Sequence, residues 1–315
     1  MHLARPDLYH PRIVLAGCAA LPEGDGDDEG LVHALRGRGL HARWMPWDDP
    51  ATVDADLVIL RATWDYVERL SEFRRWSTRV KRLLNPATVV AWNTDKRYLD
   101  DLAAAGIPTV PSAFYPPGHA VVIADLPDGE VVVKPAVGAG SRGALRFDDA
   151  KQALAHAEGL QRAGHTALVQ PYDPRVVDGE TALVFLRGEQ SHAFTKGPML
   201  SAHGHPPDLD RSGTFARESL AVADPDLAVW DLGHAALAAT AALLKLHVAD
   251  LLYARVDILG TGASAVLLEL ELVEPSLGWR QLDETTRAAQ QRQFALAVES
   301  ALHDFGLGPF SHRRP

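Results

Sequence analysis

One cysteine, Cys18, stands in 315 residues. That excludes an internal disulfide framework and any zinc site built on several thiolates. There is no surplus of positive charge: 31 Lys and Arg face 41 Asp and Glu, a formal net charge of −10. A general nucleic-acid binder carries a basic surplus or stripe, so nucleic acid is excluded as a partner. No run approaches the ~18 apolar residues a membrane helix needs, so no membrane partner is expected. The opening residues, MHLARPDLYHPR, lack the apolar stretch of a secretory signal. The Gly-x-Ser-x-Gly elbow of an α/β-hydrolase is missing too. Apolar residues make up 47% and charged residues 23%, which excludes wholesale disorder. The expectation is an acidic, cytoplasmic protein of two or three packed subdomains.

Along the chain, the first unit alternates strand and helix signals. Segments 12–18, 41–47 and 56–61 read as strands, and 71–84 has helical spacing. They predict a parallel α/β domain over residues 1–92. A second unit covers 93–172. It starts with a helix capped by Asn93 or Thr94 and closed by Gly106, with Lys96 in its first turn. Strands at 130–137, 144–147 and 167–172 and a helix at 148–163 follow. The third unit, 173–315, has a hairpin of 180–186 with 190–196, an alanine-rich helix at 227–247, strands at 251–259 and 265–273, and a helix at 283–305. Between them, the polar segment 203–219 reads as a mobile loop and is placed to act as a lid.

Two motifs are set aside. GAGSRG at Gly138–Gly143 fits the dinucleotide fingerprint, but the next residues, ALRF, read as a strand where that fingerprint needs a helix. DGDDEG at Asp25–Gly30 begins like a calcium loop, but its twelfth position is Arg36 where a Glu is required. It reads as a solvated acidic loop.

The chemistry concentrates near the C-terminus. Residues i and i+2 of a strand share a face. Arg255 and Asp257 in YARVDIL therefore point together, as do Glu269 and Glu271 in LLELELVEPS. Antiparallel pairing of the two strands puts three carboxylates and one guanidinium on one surface. A half-exposed sheet gives the same alternation. A bound Mg²⁺ would relieve the repulsion of the carboxylates, and the fork of Arg255 suits phosphate oxygens. Lys134 stands in an apolar strand, VVVKP, and should meet an anion there. The glycines after it, Gly138 and Gly140, with Ser141 between Gly140 and Arg142, let backbone N–H groups approach phosphate. Lys96 is a second lysine available to an anion. Arg61, Trp64 and Tyr66 end the last strand of the first domain, where open α/β sheets present ligand sites, and Arg61 could pair with a carboxylate. Glu274 and Ser276 follow the second acidic strand and are candidates for a substrate amino group.

In that order, Lys96, Lys134 with its glycine-rich loop, VQPY, DGE, RVD, ELE and Pro-Ser resemble the ATP-grasp superfamily of carboxylate–amine ligases over about residues 93–280. The resemblance implies an α/β and α+β architecture: a Rossmann-like N-terminal domain, then two α+β subdomains closing on ATP. It implies that Lys96 and Lys134 contact the ATP phosphates, and that Gln170, Pro171 and Tyr172 form a hinge reading the adenine edge. Glu180, or alternatively Asp178, would take the ribose. Asp257, Glu269 and Glu271 would hold magnesium, Arg255 would stabilise the transferring phosphoryl group, and Lys196 would be a further phosphate contact. Glu271 departs from the superfamily's Glu-x-Asn, which leaves one or two Mg²⁺ ions open. Ala182 stands where many peptide ligases place an Arg. RATWDY (61–66), EFRRW (72–76), WNTDKRYL (92–99), SHAFTK (191–196) and ELELVEPSL (269–277) are similar to the branch containing the O-ureido-serine cyclo-ligase of cycloserine biosynthesis. What this implies is an ADP-forming ligase of antibiotic biosynthesis. It would activate a small amino-acid-like carboxylate as an acyl phosphate for attack by a nitrogen, within one molecule in a cyclo-ligase. An intermolecular amino-acid or dipeptide ligase and a silent nucleotide-binding regulator are the alternatives, and a homodimer is left open.

Overall fold

A computed structural model describes residues 10–201, 204–208 and 219–307. It is built on three sheets. The first is parallel, with order β2-β1-β3-β4 from β1 (Arg12–Gly17), β2 (His41–Pro46), β3 (Leu57–Ala62) and β4 (Leu83–Leu84). β3 is buried at every position, as a central strand covered on both faces must be. Helices α1 (Leu31–Gly37), α2 (Leu70–Arg79) and α3 (Ala87–Asn93) complete this unit. The expected helix over 71–84 is shorter: Val80 turns to an extended conformation, and Leu83 and Leu84 join the sheet beside β3.

After α4 (Tyr98–Ala104), the second sheet is antiparallel, with order β5-β8-β6-β7. Its strands are β5 (Ala113–Tyr115), β6 (Val131–Pro135), β7 (Leu145–Phe147) and β8 (Ala167–Pro171), backed by α5 (Ala150–Arg162). The third sheet has order β11-β10-β9-β12-β13, from β9 (Glu180–Leu186), β10 (Glu189–Lys196), β11 (Leu220–Ala223), β12 (Tyr253–Leu259) and β13 (Val266–Glu271). Arg187 and Gly188 turn the β9–β10 hairpin, both with positive φ. α6 (Leu227–Leu244) and α7 (Glu284–Asp304) lie on this unit.

Three expectations change. Asn93 and Thr94 do not cap α4. They end α3, and Lys96 lies in the turn before α4, its N–H bonded to Ala136 O at 2.8 Å. β11 went unread because only four residues, alternating little, form it. α6 has 18 residues and mean hydropathy 1.5, so by length and composition it meets the test for a membrane span that the sequence reading denied. It buries Val229, Leu232, Ala236, Leu237 and Ala241 inside the protein, and Gly233 leaves no room for a Cβ against Leu183 and Phe185. Of the expected lid, residues 203 and 209–218 lie outside the described residues.

Two asparagines tie the units together. Asn85 donates to Tyr253 O (2.9 Å) and Leu272 O (2.7 Å) and accepts from Leu252 N (2.7 Å). Asn93 donates to Leu270 O (2.8 Å) and accepts from Leu272 N (2.8 Å), and Tyr98 Oη accepts from Leu270 N (3.0 Å). Segment 108–110 bonds Leu267 on the same side. The free edge of β13 is thereby covered, as an edge strand requires, and its acidic side chains are held in register. Asn93→Ala leaves one buried donor and one buried acceptor unpaired. It is expected to lower unfolding free energy by ~2–4 kcal/mol with the m-value unchanged, read by urea denaturation.

Candidate active site

The charged side chains lie on one face of the third sheet. Across β12 and β13, Arg255 faces Glu271 and Asp257 faces Glu269. Across β9 and β10, Glu180 faces Lys196. Ala182, paired with Asp257 on the other side, is small enough to let Lys196 reach across it. Lys196 Nζ lies 2.6 Å from Asp257 Oδ2 and 2.8 Å from Glu180 Oε2. Arg255 forks onto Asp257 (Nε to Oδ1, 2.9 Å), meets Glu271 at 2.5 Å, and donates through Nη1 to Ser276 O at 3.0 Å. From the second sheet, Lys134 on β6 reaches Glu269 Oε1 at 2.5 Å. Lys96 stands 3.6 Å from Glu269 Oε2 and donates to Gly138 O at 3.1 Å. Lys134 does meet an anion, as its apolar strand demands.

These neighbours set the protonation states. Burial alone would raise the Glu269 pKa, but Lys134 and Lys96 hold it far below the usual carboxylate range. Asp257 is likewise lowered: burial opposes, and Arg255 and Lys196 outweigh it. Glu271 goes the other way, raised by burial that Arg255 only partly offsets and by repulsion from Asp257 and Glu269. Glu274 is pushed up to about 8 by burial and by Glu271, against a hydrogen bond from the Tyr66 hydroxyl.

A single cavity gathers most of the expected residues. Lys96, Lys134, Gly138, Gly140 and Ser141 line it. Gln170, Pro171 and Tyr172 line an apolar slot with Val132, Leu268 and Met199. Glu180, Lys196, Arg255, Glu269 and Glu271 form the floor, and Trp64, Tyr66, Glu274 and Ser276 the far end. The Oε2 of Glu274 and the Oγ of Ser276 are buried there without a partner. Asp178 is exposed on the turn 174–178 and does not line the cavity, so of the two ribose candidates only Glu180 stands at it.

Two more of the expected residues, Arg61 and Asp257, do not line the cavity. Arg61, expected to face a substrate carboxylate, is 2% exposed and does not line the cavity. Its guanidinium forks onto Asp28 (Nη2 to Oδ1, 2.9 Å) and lies over the Tyr253 ring at 5.1 Å. The acidic loop that supplies Asp28 is therefore not a solvated one, since Asp27 and Asp28 are 0% and 3% exposed. Asp257, expected with Glu269 and Glu271 at a metal, is 1% exposed and paired with Lys196 and Arg255, opposite Glu269 in the sheet. Among the described residues no three His, Cys, Asp or Glu side chains meet as a ready cation cage. The donor set still fits Mg²⁺, which takes oxygen ligands and commonly uses one or two carboxylates plus phosphate oxygens. Glu269 and Glu271 supply the two carboxylates, and the poorly neutralised Glu271 is the one a cation would relieve most.

Sequence reasoning missed the cover of the hinge. Arg146 stacks on the Tyr172 ring at 3.5 Å and is held by Glu130. It also missed Met199 and Leu200, which line the slot from the segment after β10. No spacing rule marks either.

Residues 13–85 match the family described as D-cycloserine synthetase DcsG, N-terminal domain. The cycloserine biosynthesis protein DcsG of Streptomyces lavendulae is 38% identical over 272 residues, covering 80% of this chain and 88% of that protein. The chain belongs to the D-cycloserine synthetase DcsG family. The crystal structure of D-cycloserine synthetase DcsG superposes with a TM-score of 0.79 at 32% identity, over 92% of this chain and 99% of that one. D-alanine–D-alanine ligase from Bacillus anthracis, solved with ATP, superposes at 0.62 with 13% identity, over 93% and 98% of the two chains, and shows the shared ATP-grasp fold. DcsG membership makes this an ATP-dependent carboxylate–amine ligase, and the N-terminal match covers the parallel sheet that carries Trp64 and Tyr66 to the site.

Glu274 gives a pH test. Its folded pKa lies above the ordinary 4.5, at about 8. Between those values the unfolded chain binds fewer protons than the folded one, so stability falls as pH rises. Glu274→Gln removes the effect. Without added nucleotide, its melting temperature is expected to match wild type near pH 5 and exceed it near pH 9.

Proposed function

We propose that this ligase uses Mg-ATP to phosphorylate the carboxylate of a small amino-acid-like molecule and then joins the activated carbon to a nitrogen of the same molecule. The names of its relatives, cycloserine biosynthesis protein and D-cycloserine synthetase, support this reading. The observation that carries the reading is the meeting of Lys96, Lys134, Lys196 and Arg255 with Glu269 and Glu271 at one cavity between two sheets.

Adenine fits the apolar slot at Gln170–Tyr172, and Glu180 stands where the ribose hydroxyls would lie. Lys134 and Lys96 exchange Glu269 for phosphate oxygens, which frees that carboxylate. Glu269 and Glu271 would hold magnesium, which when bound would supply neutralising charge for the phosphates. The substrate carboxylate oxygen attacks the γ-phosphorus in line, the bond to the ADP oxygen breaks, and an acyl phosphate forms. Arg255 is placed to meet the transferring group because its fork is fixed by Asp257 behind it. The substrate nitrogen then attacks the acyl carbon, phosphate leaves, and the nitrogen gives up a proton. Both reacting groups belong to one molecule, which makes the second step unimolecular. Glu274 and Ser276 offer their unpartnered oxygens to the substrate's amino group, and Trp64 and Tyr66 close that end against water.

With ATP, Mg²⁺ and O-ureido-D-serine or its L isomer, one of the two is expected to release one ADP per cyclised product, read by coupled assay and mass spectrometry. ADP release that requires a separate amine would replace cyclisation with intermolecular ligation. No ADP release with either isomer would overturn the cyclisation reading for these molecules. Glu271→Gln should lower turnover by on the order of 10²-fold and raise the Mg²⁺ concentration needed for half-maximal rate.

A further inference from the structure

The acidic loop at 22–30 has a use that the charge of its sequence does not suggest. Asp27 is fully buried and meets a segment 250 residues away. Its Oδ2 accepts from Leu277 N at 2.8 Å and its Oδ1 from Arg280 N at 3.0 Å. Two backbone donors three residues apart are thus satisfied by one side chain, and only a carboxylate offers two acceptor oxygens and no donor. The segment they belong to, 276–280, follows the acidic strand β13 and carries two contacts to the site. The Ser276 carbonyl accepts from Arg255 Nη1 at 3.0 Å, and the Ser276 hydroxyl lines the cavity.

The same segment is fixed from its other side. His192 on β10 donates from Nε2 to Leu277 O at 2.6 Å, since a carbonyl can only accept, and burial lowers the pKa of that ring. Gly278 has φ +69° and lies so close to the Phe194 ring that a Cβ would stand 2.4 Å from it. The segment cannot relax toward β10. Asp27 holds the segment from its other side.

We propose that Asp27 is a positioning residue for phosphoryl transfer: by holding the N–H groups of Leu277 and Arg280 it fixes the Ser276 carbonyl, and through it the guanidinium of Arg255. The inference rests on the functional reading above. It reaches none of the groups at the nucleotide end, so it separates turnover from ATP binding. Gln291, which donates to Glu29 O at 2.6 Å, ties the same loop to α7 without touching 277 or 280 and serves as a matched control.

The test compares Asp27→Asn and Gln291→Ala with wild type in ADP release from the cyclisable substrate, binding of a non-hydrolysable ATP analogue, and melting temperature. Asparagine replaces one acceptor with a donor. Asp27→Asn is expected to lower kcat at least about tenfold while analogue affinity stays within about twofold, the loss of one charge-assisted hydrogen bond. Amide exchange in 276–280 should accelerate in this variant alone. Gln291→Ala should keep kcat despite a similar drop in melting temperature. Wild-type kcat in Asp27→Asn, or loss of turnover in both variants in step with stability, overturns the inference. If wild type itself releases no ADP, the functional reading falls and this inference with it.

Discussion

The site depends on buried opposite charges neutralising one another across two sheets. Lys134 on β6 and Glu269 on β13 are the clearest pair, at 2.5 Å. Taking either charge out of water alone is expensive, so each is tolerated because the other is there. Asp257 is held by Lys196 and Arg255, and Glu271 by Arg255. The result is a floor of alternating cations and anions that can be re-partnered. In the proposed function a triphosphate would take the lysines and a divalent cation the released carboxylates, with charge compensated at each stage. Glu271, which has the weakest compensation, is the position where that exchange gains most.

The geometry that keeps these charges together is made elsewhere. Asn85 and Asn93 come from the first unit and saturate the backbone of the third, so β13 cannot slip by the one residue that would turn Glu269 and Glu271 away. Asp27 likewise holds the 276–280 backbone, while Asp28 pairs with Arg61 within the first unit. The N-terminal unit therefore gives Trp64 and Tyr66 to the cavity and also fixes the strand and the turn that carry the acidic wall.

Period-two alternation made the central pairing legible: Arg255 with Asp257 and Glu269 with Glu271 read directly as one face, and the register sets them opposite each other. The apolar surroundings of Lys134 likewise announced an anion. What did not read was the partner of each charge. Arg61 looked like a ligand group because it ends a central strand, but Asp28, 33 residues away in sequence, takes its fork. DGDDEG looked solvated because burial of acidic residues depends on donors from 250 residues on, which no local window contains. Asn93 looked like a helix cap, and its side chain instead serves a strand edge. Asp257 read correctly as sharing that face, but its pairing with Lys196 from β10 is one that alternation cannot show.

A crystal structure with a non-hydrolysable ATP analogue and Mg²⁺ tests the central claim most directly. Lys134 Nζ should move from Glu269 to a phosphate oxygen, with the metal on Glu269 and Glu271 and the adenine beside Gln170–Tyr172. A nucleotide bound away from Lys134, or bound there with the Lys134–Glu269 pair intact and the metal off both glutamates, would contradict it.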